Sequence, residues 1–161
     1  MKILLNFLGF LWCLPWSVLM WVFGILFVVC WQISFVLPRK NLSVIWYIHY
    51  DSFFYKFMEW RGYQGFCIGN NIFICPDGRD ELVNLRTLDH EQEHRVQFYK
   101  YGILFPFLYI FESIKIFFFN KNLHSYYDNV FEIAARKAAG QMVKIPKAVW
   151  AQGPKDRWMW W

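Results

Sequence analysis

Hydrophobic positions along the chain fall into one long unbroken block and two shorter, interrupted ones. The first block, residues 3–37, reads ILLNFLGFLWCLPWSVLMWVFGILFVVCWQISFVL and carries no Asp, Glu, Lys, Arg or His. It is too long for the apolar core of a signal peptide, and Leu37-Pro38-Arg39-Lys40 follows it where a small-residue cleavage site would be needed. It also exceeds the run of about 18–20 apolar residues that marks a spanning helix. Pro15 divides the block. Residues 3–14 make a helix of about 18 Å and residues 16–37 one of about 33 Å, against a hydrocarbon core of about 30 Å. Two arrangements follow: residues 16–37 span while 3–14 lies in the interface, or the halves form a re-entrant hairpin broken at Pro15. Lys2 favours the hairpin. Arg39 and Lys40 place the rest of the chain on the cytoplasmic side.

The stretch NLSVIWYIHYDSFFYKFMEWRGYQGF, rich in aromatics, suits a helix lying at a membrane surface. Short β-prone runs around Gly69-Asn70-Asn71 predict a hairpin over 65–75, and PDGRDE predicts a loop. A helix then runs from near Asn84 to Gly102, which is placed to end it. The second apolar block, 103–119, is interrupted by Pro106, Glu112 and Lys115. A span would bury both charges, so a helix embedded at the interface or packed on the anchor fits better. After the loop NKNLHSYYDN, the segment VFEIAARKAAGQ reads as a helix capped by Asp128 or Asn129 and ended by Gly140. The tail RWMWW suits an interfacial contact. The fold class expected is mainly α with one small β-hairpin, a membrane anchor over 1–38 and a membrane-associated domain over 39–161.

Composition sharpens this. Hydrophobic residues make up 57% and aromatics 23%, well above a soluble average. All twelve acidic residues lie beyond residue 50, and the net charge is +5. The basic residues are scattered among acids and large apolars, which excludes a nucleic-acid stripe and suits anionic lipid headgroups, so the expected partner is the bilayer. Cys13 and Cys30 sit in the apolar block as small hydrophobes. A three-residue hairpin loop would oppose Cys67 and Cys75 and a two-residue turn would not; no CxxC pattern occurs.

Within LDHEQEHRVQFYKYG, His90-Glu91-Gln92-Glu93-His94 is an HExxH motif. On a helix the two histidines share a face and can reach one Zn²⁺ ion. Glu91 can serve as general base toward a water that the metal acidifies. The plainer alternative is a solvated helix face with a Glu91–Arg95 pair. Gln97 and Lys100 stand where metzincins require Gly and His, which excludes that class. A Glu from a later helix would complete a His₂Glu set. Glu132 fits, with Ala135 and Ala139 on its face to let two helices approach; its alternative is a salt bridge to Arg136. His124 and Asp128 are weaker rivals as ligands, and His49 reads as a packed or interfacial histidine. His124, Tyr126 and Tyr127 are candidates for stabilising an oxyanion.

Four stretches, NFLGFLWCLPWSVL, GNNIFI, DHEQEHRVQFYKYGILFPFLY and YYDNVFEIAARKAAG, run nearly end to end through the chain. In them the chain resembles a family of small bacterial membrane proteins with gluzincin-like metallopeptidase motifs. The last two stretches are the specific ones. The resemblance implies His90, His94 and Glu132 as ligands, Glu91 as base, a zincin-like helical domain, an unknown peptide or protein substrate, and the bacterial inner membrane as location. One departure is Val130, where the family more often has Pro after Asp-Asn. The rival expectation is a metal-binding structural or interaction protein of the membrane without turnover.

Overall fold

The N-terminal block folds as one helix, α1 (Lys2–Val29), with Pro15 inside it. This is seen in a computed structural model of the 161-residue chain, which describes residues 2–30, 33–36, 43–75, 81–120 and 122–144. The expected break at Pro15, and with it the re-entrant hairpin and the separate span over 16–37, is therefore corrected. A proline removes one helical hydrogen bond and crowds the preceding turn. Here the Ser17 hydroxyl donates to the Cys13 carbonyl at 3.1 Å, and the Cys13 thiol to the Phe10 carbonyl at 3.3 Å. The carbonyl that loses its helical donor at Pro15 is that of Leu11, so these two bonds do not replace the lost one; packing of α1 against the rest of the fold keeps it whole. At its full length α1 reaches about 42 Å. It stops short of Leu37 because Ile33–Val36, β-branched at both ends, form the strand β1.

The chain continues as β2 (Val44–Ile48), α2 (Phe53–Arg61), β3 (Gly65–Ile68), β4 (Asn71–Ile74) and α3 (Glu81–Tyr101). A 3₁₀ turn (Gly102–Leu104) leads into α4 (Phe105–Phe119), and α5 (Val130–Ala138) follows. Among the described residues the strands form one sheet in the order β1-β2-β4-β3. β2 pairs parallel with β4, and the other two pairings are antiparallel. The expected hairpin is present as β3–β4. Its two-residue turn is Gly69–Asn70, with Gly69 at φ 62°, and it sets Cys67 opposite Ile72. Cys67 and Cys75 are accordingly free thiols. A helix over the whole surface segment was expected, but VIWYI is a nearly fully buried strand, and only Phe53–Arg61 is helical, capped by the Ser52 hydroxyl. The sheet is thus larger than the single hairpin that the sequence pattern predicts.

α1 is packed into this fold. Its Met20, Phe23 and Phe27 lie on a core built from Trp46, Ile48, Met58 and Phe73. Its Cys13 and Trp16 join a second core with Phe98 and Phe105. A buried polar chain pins the helix to the hairpin turn. The Asn70 N–H donates to the Ser17 hydroxyl (2.8 Å), and the Asn71 amide donates to the Ser17 carbonyl (2.9 Å). The Trp46 indole donates in turn to Asn71 Oδ1 (2.9 Å). Gly24 permits the close approach, since a β-carbon there would come within 2.7 Å of the Trp46 ring.

Two stretches, Phe7–Val28 and Leu85–Phe119, are long and apolar enough to cross a membrane, by length and composition. Their outward faces carry exposed large apolar side chains, among them Val22 and Leu26 on α1 and Phe111 and Phe118 on α4. Surface of this extent suits lipid contact. Glu112 and Lys115, which argued against a span, pair with each other on α4. The basic pair Arg39–Lys40, the loop 76–80 and the tryptophan tail lie outside the described residues.

If the polar pin holds α1 in place, Asn71→Leu strands the buried Trp46 N–H and costs about 1–3 kcal/mol. The expected outcome is a clearly lowered thermal unfolding midpoint of the full chain in detergent. An unchanged midpoint would show that α1 does not depend on the hairpin.

Candidate metal centre

His90, Glu91 and His94 lie mid-way along α3, where the 3.6-residue period puts positions 90, 94, 97 and 98 toward the interior. The three are 8%, 5% and 7% exposed, so this is not a solvated helix face. Arg95 turns to the Tyr99 ring instead of pairing with Glu91. α5 brings the third group. Asn129 caps it by accepting from the Phe131 N–H, and the same side chain donates to the Tyr109 carbonyl and the Ser113 hydroxyl of α4. Val130 occupies the first helical position, where Pro was the family expectation, and the cap starts the helix without it. Ala135 and Ala139 are buried and let α5 approach α3. Gly140, at φ 65°, ends the helix, and the Gln141 N–H returns to the Arg136 carbonyl. Glu132, in the first turn, is thereby aimed at the two histidines.

The donor atoms form a tight triangle. His90 Nε2 and His94 Nε2 are 3.2 Å apart. Glu132 Oε2 lies 3.3 Å from the first and Oε1 3.2 Å from the second. Donors held about 2.0–2.1 Å from a tetrahedral zinc lie about 3.3–3.4 Å from one another. The spacing therefore fits a shared ion. Arg136, the alternative partner of Glu132, is farther away at 3.9 Å and donates to the Tyr127 carbonyl.

The surrounding hydrogen bonds orient the rings for such an ion. Gln97 Nε2 donates to the Phe131 carbonyl, so Gln97 Oε1 is the atom that faces His94 Nδ1 at 2.9 Å. An amide oxygen only accepts, so Nδ1 carries the hydrogen of the neutral ring and Nε2 keeps its lone pair. His90 Nδ1 lies 3.0 Å from the Gln141 side-chain amide. Burial alone would raise the Glu132 carboxyl; hydrogen bonds and charge from His90 and His94 outweigh it and hold the group well below the usual carboxylate range. Three acceptors thus converge in a buried space. A proton can bridge one edge of the triangle, whereas a divalent cation satisfies all three. These residues could hold a metal ion.

Glu91 stands beside the triangle. Its Oε2 is buried and has no hydrogen-bond partner, and its Cγ is overlaid by Gly65 of β3, where a β-carbon would come within 3.2 Å. His90, Glu91, His94 and Glu132 share a cleft of about 710 Å³ with residues of α1, α2, β3 and α4. Tyr126 lines this cleft too, its hydroxyl kept protonated by burial and by the nearby Glu132 charge. His124 and Asp128 take structural parts in the turn before α5. His124 Nδ1 accepts from the Tyr126 and Tyr127 N–H groups, and Asp128 Oδ2 accepts from the His124 N–H. His49 is exposed at the end of β2, away from the cluster.

Three contributors escaped the sequence reading. Tyr109 of α4 donates to Glu132 Oε1 at 2.7 Å, yet in the sequence it is one aromatic in an apolar run. Gln97 registered only as the residue that rules out a metzincin. Gln141 lies beyond the helix-ending glycine, and nothing in its spacing marks it.

Glu132→Ala should weaken zinc binding far more than His124→Ala or Asp128→Ala. Gln97→Leu, which removes an acceptor from His94, should weaken it about 10–100-fold. Competition with a chromophoric chelator measures both, and equal affinities across the set would contradict the assignment. Comparisons of the chain with protein-family models, with curated proteins and with solved structures find no match, so the metal-binding reading rests on this geometry.

Proposed function

We propose that the protein is a membrane-anchored, zinc-dependent metallopeptidase of gluzincin-like type. The observation that carries this is Glu91: a buried carboxylate with an unpartnered oxygen, one residue from a ligand and facing the same cleft. A purely structural metal site has no use for such a group. Two imidazole nitrogens and one carboxylate, without sulfur, suit zinc and leave a fourth position open. When bound, zinc supplies Lewis-acid charge that polarises a carbonyl and acidifies water.

The chain's own residues do the rest. His90, His94 and Glu132 hold the ion. Glu91 takes a proton from the attacking water and delivers it to the leaving nitrogen. The water oxygen bonds to the carbonyl carbon, the C–N bond breaks, and a carboxylate and an amine result. The Tyr126 hydroxyl, protonated and beside Glu132 in the cleft wall, would donate to the carbonyl oxygen as it gains charge. β3 is an edge strand whose four residues all line the cleft, so a peptide could add to it by main-chain hydrogen bonds. The resemblance to small bacterial membrane proteins with HExxH…E motifs supports the same reading. It also supports a zincin-like domain at the inner membrane, and Arg39 and Lys40 favour its cytoplasmic side.

Glu91→Gln separates the roles. It should keep bound zinc and lower peptide hydrolysis by about 10²–10⁴-fold, whereas His94→Ala should lose both. Unimpaired hydrolysis by Glu91→Gln would defeat the mechanism. Stoichiometric zinc with no cleavage by wild type would favour the structural role instead. Metal should also leave on acidification, because a protonated imidazole has no lone pair left for the ion. A zinc content unchanged from pH 7 to pH 4 would contradict His ligation.

A further inference from the structure

We infer that the occupant of the cleft is an apolar peptide segment presented from the bilayer, such as part of another membrane protein's span. This rests on the hydrolytic reading for its outcome, but on separate observations for its chemistry. Among the described residues lining the cleft, the only Asp, Glu, Lys, Arg or His residues are His90, Glu91, His94 and Glu132. Its remaining walls are dominated by Trp16, Met20 and Phe23 of α1, aromatics of α2, and Phe105, Pro106 and Ile110 of α4. A charged side chain entering here would lose its hydration and meet no counter-charge outside the metal cluster.

The helices that wall the cleft are the ones whose outer faces suit lipid. α1 turns Trp16, Met20 and Phe23 to the cleft and Val22 and Leu26 outward, where they are exposed. α4 does the same with Pro106 and Phe111, and its Ile110 and the Phe57 of α2 are both exposed and cleft-lining. The rim is therefore apolar and continuous with the lipid-facing surface. A lipid acyl chain would match the walls as well. The edge strand decides for a peptide. β3 is an edge strand along the cleft, and a peptide segment unwound from its helix there must pair its freed backbone groups. The strand edge can pair them, and an acyl chain has none to offer.

The test uses the full-length Glu91→Gln protein loaded with zinc in phosphatidylcholine vesicles. The probe is a single-span peptide of about 20 apolar residues carrying a photoreactive leucine near its centre. Cross-links, mapped by mass spectrometry, should fall on Met20, Phe23 and Ile110. Excess unlabelled apolar peptide should compete them away, and an equal amount of a Glu/Lys-rich peptide should not. Cross-links confined to Val22, Leu26 and Phe111, or equal competition by the charged peptide, would overturn the inference. So would labelling of the same three residues by a photoreactive phosphatidylcholine that the peptide fails to displace. In parallel, wild type should cleave the apolar peptide with kcat/KM about 100-fold above that for the charged one. Cleft labelling without cleavage would remove the hydrolytic step and uphold the occupant. Equal cleavage of both peptides would keep the step and overturn the occupant.

Discussion

Three electron-pair donors converge within 3.3 Å of one another in a buried space, and one shared cation would satisfy all three at once. Much of the architecture serves to hold them there. The helical period of α3 gives two imidazoles on one face. The Asn129 cap and the small residues Ala135 and Ala139 give a short helix close enough to add a carboxylate. Gln97 and Gln141 fix the ring faces, and Tyr109 anchors the carboxylate from α4. Each acts by hydrogen bonding or packing one step back from the three donor groups, as the partners of metal ligands do.

The second feature is the place of α1. A helix long and apolar enough to cross a membrane is tied to the soluble-looking sheet by a buried polar chain through Ser17, Asn70, Asn71 and Trp46. It also contributes to two of the cores and to one wall of the cleft. The long apolar helix and the candidate site are consequently one packed unit.

The site was legible because its parts are local. HExxH is a spacing rule on one helix, and Glu132 is visible as a carboxylate in the first turn of an alanine-rich helix with its own cap and stop. Gly69-Asn70-Asn71 marked the hairpin for the same reason, although the turn was expected at Asn70–Asn71 and falls one residue earlier. The rest depends on contacts that no window of sequence contains. VIWYI was read as part of a surface helix, because aromatics suit an interface and a buried strand equally well until the parallel pairing with β4 is known. Pro15 was read as a break, because the packing that holds α1 comes from residues distant in sequence, among them Trp46, Phe73, Phe98 and Phe105. Tyr109 and Gln141 reach the site only through tertiary packing.

The central claim is that His90, His94 and Glu132 ligate one metal ion. X-ray absorption at the zinc edge on the full-length protein, with metal stoichiometry measured on the same sample, tests it most directly. The account predicts one zinc per chain, with a first shell of nitrogen and oxygen at about 2.0–2.1 Å. A sulfur shell at about 2.3 Å, or zinc far below one per chain after loading at neutral pH, would contradict it.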